Sequence, residues 1–518
     1  MTTLGPPSSN SPPKQPHDDA HSSSPNLAVA PASRTAHRFG SYTRRYGWTA
    51  QDRERVVDVP GAELRYDSSD RRGTALNSLI GVALEAVNAA IEVMLLPGLV
   101  LAFFAAELTP SYATIGLVPA VAFGFWTLAR LPALLLTATR RRQQAWAFAA
   151  ALVRVGAVGI LAIVASRTDP GAVAQSARPL LAAFFLCLTV YSLAGGFGSV
   201  PATALLRAAA PGDAWASFAR MRALWCAVLS VLAALIVARL LGSDAFAFPS
   251  GYGRLFLAAT VCLVAVAGLT AAIREPAGGA TMAPMASMSS RLLRQPLLDP
   301  RFRRFLVFRV LLSSSAAVDP FLFLYAVTRL GAPTTAIGGY VVAGVLGWVL
   351  TAPVWLWLER RSGARSVLQA ATVVRLVAPA VALALPPLAA TELMRERFLQ
   401  ESPLISAYGI GFFAIGAALA AQARGTNDYL TALSPRPSLG AYTGLTNAVL
   451  TVVAFAPVLG GIMIQRSSYE TLFVAALAIG LAAVFAGGAL ASTPASFAIN
   501  RAPGAGEAAA RALPAGRT

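Results

Sequence analysis

Two carboxylates stand where an apolar helix tolerates them least. Glu85 and Glu92 lie inside a long apolar run, and with Asn77, Gly81 and Asn88 they follow one another at steps of 4, 4, 3 and 4 residues. That spacing stacks all five on one face of a helix. An ionisable group at the centre of a membrane helix costs roughly 2.5–3.5 kcal/mol on insertion scales, so a stripe of this kind does not face lipid. Two readings stay open: the stripe lines a central cavity and one glutamate carries a coupling proton, or it is a hydrogen-bonded patch that fixes packing.

Other ionisable groups in apolar runs are few. Asp319 precedes Pro320, and Pro97-Gly98 stands at the corresponding depth of the first run, so both helices are expected to bend there, proline lacking a backbone donor. Ser313, Ser314 and Ser315 add hydroxyls that more often bond to their own helix carbonyls than to a ligand. Arg154 and Arg375 could each pair with a membrane carboxylate, attract an anion, or hold structure in the same way twice. Arg130 and Arg309 lie nearer the helix ends, where long side chains snorkel to the interface. Arg424 and Asp428 are spaced for a local i, i+4 pair, and Tyr191 and Tyr408 could stack a ligand or fill a core.

Metal and nucleotide chemistry find no support. The three histidines (His17, His21, His37) all lie near the N-terminus, and Cys187, Cys226 and Cys262 are scattered over three apolar runs without ligand spacing. There is no glycine-rich phosphate loop ending in Lys-Ser/Thr, so no cofactor is expected and ATP does not drive the chain directly.

The elements that must position these groups follow from composition. Of 518 residues 56% are hydrophobic and only 13% are charged, about half the charge of a soluble globular protein. A helix needs about 20 mostly apolar residues to cross a bilayer. Twelve runs qualify: 76–106, 112–136, 144–166, 179–204, 222–241, 254–273, 305–328, 335–357, 366–388, 404–424, 440–464 and 469–491. The expected fold is therefore an all-α polytopic membrane protein of twelve spans. Residues 1–72 form a polar tail without the pattern of a secretory signal, largely disordered and cytoplasmic, and 493–518 a second such tail.

The net charge of +18 does not mark a nucleic-acid binder, because the arginines sit in the gaps between spans rather than in one stripe. With the N-terminus inside, cytoplasmic loops carry 17 arginines and outer loops 8. The positive-inside rule then places both termini in the cytoplasm.

The chain also repeats itself. Arg154 and Arg375 are 221 residues apart, Ile115-Gly116 and Ile337-Gly338 are 222 apart, and Tyr252 and Tyr469, each followed at the same distance by Leu-Phe, are 217 apart. Near-constant offsets over twelve spans divide the membrane part into a first half, 73–276, and a second half, 305–492, joined by a cytoplasmic loop, 277–304. Parallel repeats of this kind place a substrate site at their interface near the bilayer midplane. Gly116, Ala120 and Gly124, and again Gly339, Ala343 and Gly347, put small residues on one stripe for close helix packing.

Over roughly residues 73–492 the chain resembles the major facilitator superfamily. The resemblance rests on the 6+6 repeat with its central loop, on Arg274-Glu275-Pro276 closing the sixth span, and on Asn427-Asp428-Tyr429-Leu430, Pro435, Tyr442-Thr443-Gly444-Leu445, Asn447, Pro457 and Gly460-Gly461. The latter group is similar to bacterial members. The resemblance implies secondary active transport of a small organic solute by alternating access, usually driven by protons, in a monomer of the bacterial cytoplasmic membrane. Export of amphipathic compounds is a further expectation, drawn from the apolar spans. The family's G-x-x-x-D-R-x-G-R-R loop survives in degraded form: Glu359, Arg360 and Gly363 in the second half, with the acid one residue early, and Arg140-Arg141 in the first. These residues are the implied cytoplasmic gate. A transporter-like receptor or assembly partner is the alternative, because the gate motif is degraded. An integral lipid-modifying enzyme would need an acidic or metal-binding cluster on one membrane face, which the sequence lacks.

Overall fold

A computed structural model describes residues 71–137, 142–210, 214–243, 246–275, 296–389, 391, 401–434 and 439–491. The two tails, most of the central loop, and Arg140 and Arg141 lie outside the described residues. Among those described the chain is helical throughout, without strands.

Among the described residues eleven helical stretches are long and apolar enough to cross a membrane, but one of them, Thr334–Leu388, has 55 residues. At about 1.5 Å per residue it would be more than twice as long as a bilayer core is thick. It reverses at Gly363, where φ is 81° and ψ is 171°, a backbone conformation open to glycine and strained for other residues. Gly347 before the turn and Ala378 after it both lie against the same part of span 10, beside Phe413 and Gly411 respectively. The chain has therefore doubled back, and twelve crossings result, numbered here as spans 1 to 12.

Span 1 (Arg71–Met94) breaks at Leu95-Leu96 and resumes as a π-helical turn, Pro97–Leu101, followed by Ala102–Ala106. Span 7 (Pro300–Ser314) passes through a 3₁₀ turn at Ser315–Val318 before continuing as Asp319–Arg329. Both interruptions fall beside the prolines that remove a backbone donor. Span 11 also breaks, between Leu439–Val453 and Ala456–Arg466, where Pro457 enters the second piece. Many large apolar side chains, Val452, Leu459 and Phe485 among them, are exposed on the outside of the bundle, as a lipid-facing surface requires.

The near end of the bundle carries Arg71, Ala272, Pro300 and Gly488; the far end carries Tyr112, Arg167, Arg329 and Tyr469. Contacts between spans 1–6 and spans 7–12 gather at the far end. A Cβ on Gly116 would fall 2.2 Å from the Pro457 carbonyl, and one on Gly461 2.3 Å from that of Tyr112, so spans 2 and 11 touch backbone to backbone. Gly338, the repeat mate of Gly116, meets Ala238 in the same way, joining spans 8 and 5. Phe103 packs edge-on against Phe323 and Tyr112 against Tyr469, with ring centroids at 4.7 and 5.6 Å. The second small-residue stripe behaves differently from its expectation. Gly339 has nothing within 4 Å where a Cβ would stand; Gly347 alone of its glycines packs closely, its Cβ position 2.0 Å from the Phe413 carbonyl, and Gly338 takes the place of Gly339 against Ala238.

At the near end the named polar contacts stay within one half. Asn77 exchanges two hydrogen bonds with the backbone of Arg274, at 2.9 and 3.1 Å. Glu275 accepts from the Gln143 backbone N–H at 2.6 Å, and Gln144 Nε2 reaches the Ala271 and Ile273 carbonyls, both at 2.8 Å. The last carbonyls of a helix have no partner inside it, so span 3 caps span 6. In the second half Arg365 and Gln369 of span 9 cap span 12 likewise, donating to the carbonyls of Gly488 and Gly487 at 2.8 and 2.9 Å.

Candidate functional site

The polar stripe of span 1 divides along its length. Asn77 is buried and occupied by the end of span 6, while Gly81 lets Leu206 and Phe218 pack within 3.1 and 3.2 Å of its Cβ position. Glu85 accepts from Arg222 of span 5 at 3.0 Å. This lower part is packing and ion pairing, not an open lining. Asn88 donates to its own helix at Leu84 and accepts from Arg154 at 3.3 Å. Glu92, one turn further, is exposed, and no hydrogen bond to it is found among the described residues. Arg154 of span 3 and Glu85 act electrostatically on its carboxylate, and Glu92 in turn acts on Cys226 of span 5. A side chain that is exposed yet flanked by spans 3 and 5 faces an opening within the bundle rather than lipid.

Arg154 is only 8% exposed, and among the described residues no carboxylate lies within ion-pair distance of it. Its guanidinium bonds to two neutral acceptors, Asn88 Oδ1 at 3.3 Å and the Tyr191 hydroxyl at 3.0 Å. It lies over the Tyr191 ring at 4.8 Å and the Trp126 ring at 5.6 Å, where ring quadrupoles attract a cation. Its Nε is buried without a partner. Trp126 reaches this place because Gly195 and Gly196 leave room: a Cβ on either would fall about 2 Å from the tryptophan, at 2.1 and 2.0 Å. Sequence reasoning passed over Trp126, although the Gly-Gly pair four residues beyond Tyr191 was the signal that a bulky neighbour crosses there.

The repeat mate has another environment. Arg375, 4% exposed, pairs directly with Asp319 of span 7, whose Cβ lies 3.6 Å from the position a side chain on Gly98 would take. The 221-residue offset that links the arginines also carries Tyr191 onto Phe412. Phe412 stacks on Tyr340 with centroids 4.5 Å apart, and leaves no hydroxyl for Arg375. Asp319 and Arg375 are thus brought together, as are Glu92, Asn88, Arg154 and Tyr191. Tyr408 belongs to neither group: it is fully buried among Tyr325, Tyr340 and Phe412, and its hydroxyl donates to the Leu322 carbonyl at 3.0 Å.

At the near end Glu359 pairs with Arg424 of span 10. Arg424 therefore reaches across to span 8, where Asp428 of its own helix also meets the Glu359 carboxyl group. Gly363 forms the turn between spans 8 and 9, and Arg360 points outward, exposed. Arg130 and Arg309 do not snorkel. Arg130 Nε donates to Ser199 at 3.1 Å, and Arg309, with its Nε buried, reaches Gln422 at 3.5 Å. Both turn inward to a polar group on a neighbouring span. Among the described residues no three His, Cys, Asp or Glu side chains are placed to hold a metal ion.

This is the architecture of an all-α, multi-pass membrane protein built from paired six-span units. Solved structures of transporters share it. A mutant of the nucleoside transporter NupG matches with a TM-score of 0.59 at 13% identity, over 80% of this chain and 99% of that one. The D-xylose-proton symporter matches at 0.56 and 13% identity, over 82% and 98%. A POT family transporter in complex with a thioalcohol-conjugated peptide matches at 0.55 and 11%, over 81% and 95%. No family model and no curated relative matches the sequence. At such identities the likeness is one of fold, shared with those transporters.

Proposed function

We propose that the chain is a secondary active transporter, moving a small organic solute across a membrane by alternating access with protons as the driving ion. One observation carries this reading: the contacts named above join the two halves at the far end, while Glu92 stands exposed beside Arg154 halfway through the bundle. Rocking of 73–276 against 305–492 about that level would close the near end and open the far one. The arginine bias supports a cytoplasmic near end, and so an inward-open state of a monomer in the bacterial cytoplasmic membrane with both termini inside. The fold shared with a nucleoside transporter and a xylose-proton symporter supports solute movement, and the latter supports protons.

In this reading Glu92 takes the coupling proton, with Arg154, Asn88 and Tyr191 around it and the Glu85–Arg222 pair towards the near end. Asp319 and Arg375 hold the second half at the matching depth, and Tyr408 fixes the core between spans 7 and 10. Glu359, Arg360 and Gly363, with Arg140 and Arg141, form the near-end gate. Direction depends on whether cargo and proton bind together or exclude each other. A ligand found by thermal-shift screening is to be followed in proteoliposomes under an imposed pH gradient. Glu92→Gln is expected to abolish gradient-driven accumulation while leaving exchange of labelled for unlabelled ligand. Unchanged accumulation in that variant would remove Glu92 from coupling, and absence of any movement in the unaltered protein would remove transport.

A further inference from the structure

The arginines that turn into the bundle differ in how well each is answered. Arg222 has Glu85 and Arg375 has Asp319. Arg154 has two neutral acceptors and two ring faces, and Arg130 donates to Ser199 at 3.1 Å. Arg309 of span 7 has the least. One terminal nitrogen, Nη1, lies 3.5 Å from Gln422 Oε1 of span 10, the outer limit of a hydrogen bond, and Nε is enclosed without a partner. The other, Nη2, bonds to nothing among the described residues and is not enclosed. No charged group among them acts on this guanidinium; only burial does.

The packing of span 7 fixes where Arg309 stands. Phe302, Phe305 and Phe308 follow at steps of three and are fully buried. Phe308 packs against span 12, 3.3 Å from the Cβ position of Gly487, and Phe305 stacks on Tyr429 of span 10 with ring centroids 5.2 Å apart. Arg309 follows Phe305 by four residues and so lies one turn further in on the face that meets span 10. Span 10 runs the other way, which puts Thr426 one turn and Gln422 two turns further in than Tyr429. The ring pair thus closes the cleft between spans 7 and 10 on its near side, and polar groups occupy the next two turns.

These groups are left wanting partners. Thr426 Oγ1 is enclosed and unbonded. Ser315 donates to its own helix at the Leu312 carbonyl, 2.8 Å away, but Ser313, one turn beyond Arg309 on the same face, makes no such bond. Gln422 has its oxygen towards Arg309 and so has only N–H groups left to offer. The open groups can all donate, while the carboxylates of the same two spans are engaged elsewhere, Asp319 by Arg375 and Asp428 with Glu359. A guanidinium without a counter-ion inside a helix bundle is costly, and nothing in the fold recovers that cost.

We infer that the cleft between spans 7 and 10 takes the anionic group of the solute, a carboxylate or a phosphate, with Arg309 as its counter-ion and Gln422 and Ser313 as neutral donors. An oxyanion that bonds to both terminal nitrogens displaces only the 3.5 Å contact with Gln422. The rest of the solute stays in the opening between the halves, so the cleft has to admit one oxyanion and no more.

This assignment deepens the transport reading and rests on it for a purpose, so the test is binding, which is indifferent to transport. Purified protein in a chloride buffer is melted with increasing acetate or inorganic phosphate, and with acetamide and methylammonium as the uncharged and cationic counterparts. Both anions should raise the melting temperature saturably, and the counterparts should not. Arg309→Gln should weaken the apparent affinity for the anions about tenfold or more, and Arg309→Lys should recover part of the loss. Without added anion Arg309→Gln should melt above the unaltered chain, because it removes an unanswered charge, whereas loss of a structural arginine would lower the melting temperature. Equal stabilisation by acetamide or methylammonium, none by either anion, or a lower melting temperature for Arg309→Gln would each overturn the assignment. The ligand series on the unaltered chain decides even if a variant fails to fold. Stabilisation by dioctanoyl phosphatidylglycerol, with both small anions inert, would give the charge to a lipid headgroup and overturn the solute reading. Anion binding without movement of any solute in proteoliposomes would leave the site standing and remove the transport role. Movement of a solute untouched by Arg309→Gln, with both anions inert, would do the reverse.

Discussion

Arg154 and Arg375 occupy matching positions in spans 3 and 9, and both are more than nine-tenths buried, yet only Arg375 touches a carboxylate. The position of Asp319 in span 7 corresponds to Pro97-Gly98 in span 1, where no side chain can answer the charge. The acid of the first half, Glu92, comes five residues earlier and stays exposed. A buried charge without a partner is costly, and cation–π contacts with two neutral acceptors offset only part of that cost. The second half has the arrangement of a strut, and the first keeps an unsatisfied charge where a ligand can reach its surroundings.

The largest effect should separate these two roles. Asp319→Ala leaves Arg375 buried and alone and is expected to destabilise the protein by about 3–5 kcal/mol, read as a fall in detergent-solubilised melting temperature. Replacing both partners, Asp319→Leu with Arg375→Met, should restore most of it. Glu92→Gln has no partner to orphan and should shift stability by less than about 1 kcal/mol. Equal losses for Asp319→Ala and Glu92→Gln would end the distinction between strut and site.

A smaller effect tests the far-end closure from both halves. Gly116→Ala and Gly338→Ala each drive a methyl group into the opposing backbone, at 2.2 Å from Pro457 O and 2.5 Å from Ala238 Cα. Each should cost about 1–3 kcal/mol of closed state and increase thiol labelling of a cysteine placed at Ser111. Labelling raised by one variant alone would show that the two interfaces do not share the load. The smallest effect concerns the caps: Gln144→Ala and Gln369→Ala should each lose about 1 kcal/mol locally, seen as faster hydrogen exchange at the ends of spans 6 and 12. A loss spread over the whole chain would mean that the caps hold the halves together rather than finishing single helices.

The crossings were legible because twenty apolar residues in a row have few other uses, and the repeat because Arg154, Gly116 and Tyr252 each found a mate at nearly one offset. The interruptions near Pro97 and Pro320 were legible from the missing backbone donor. What the pattern could not reveal was partnership. Arg424 bonds to Glu359, 65 residues away, and Arg375 to Asp319, 56 away, choices set by which helices pack and not by local spacing. The Asn77–Glu92 stripe shares one face, as its steps require, but the approach of span 6 seals one end of that face and leaves the other open. Tyr408 and Tyr191 looked alike in sequence and differ because one meets only rings and a carbonyl and the other an arginine.

The named contacts that hold the far end shut are glycine against carbonyl, ring against ring, and one neutral hydrogen bond from Gln465 to Ser111 at 3.3 Å. None of these contacts between described residues involves a formal charge, so neither screening by electrolyte nor titration by acid acts on them directly. A charge-driven trigger at Glu92, Arg154, Asp319 and Arg375, in the middle of the protein, reaches these contacts only through the stiffness of the helices between.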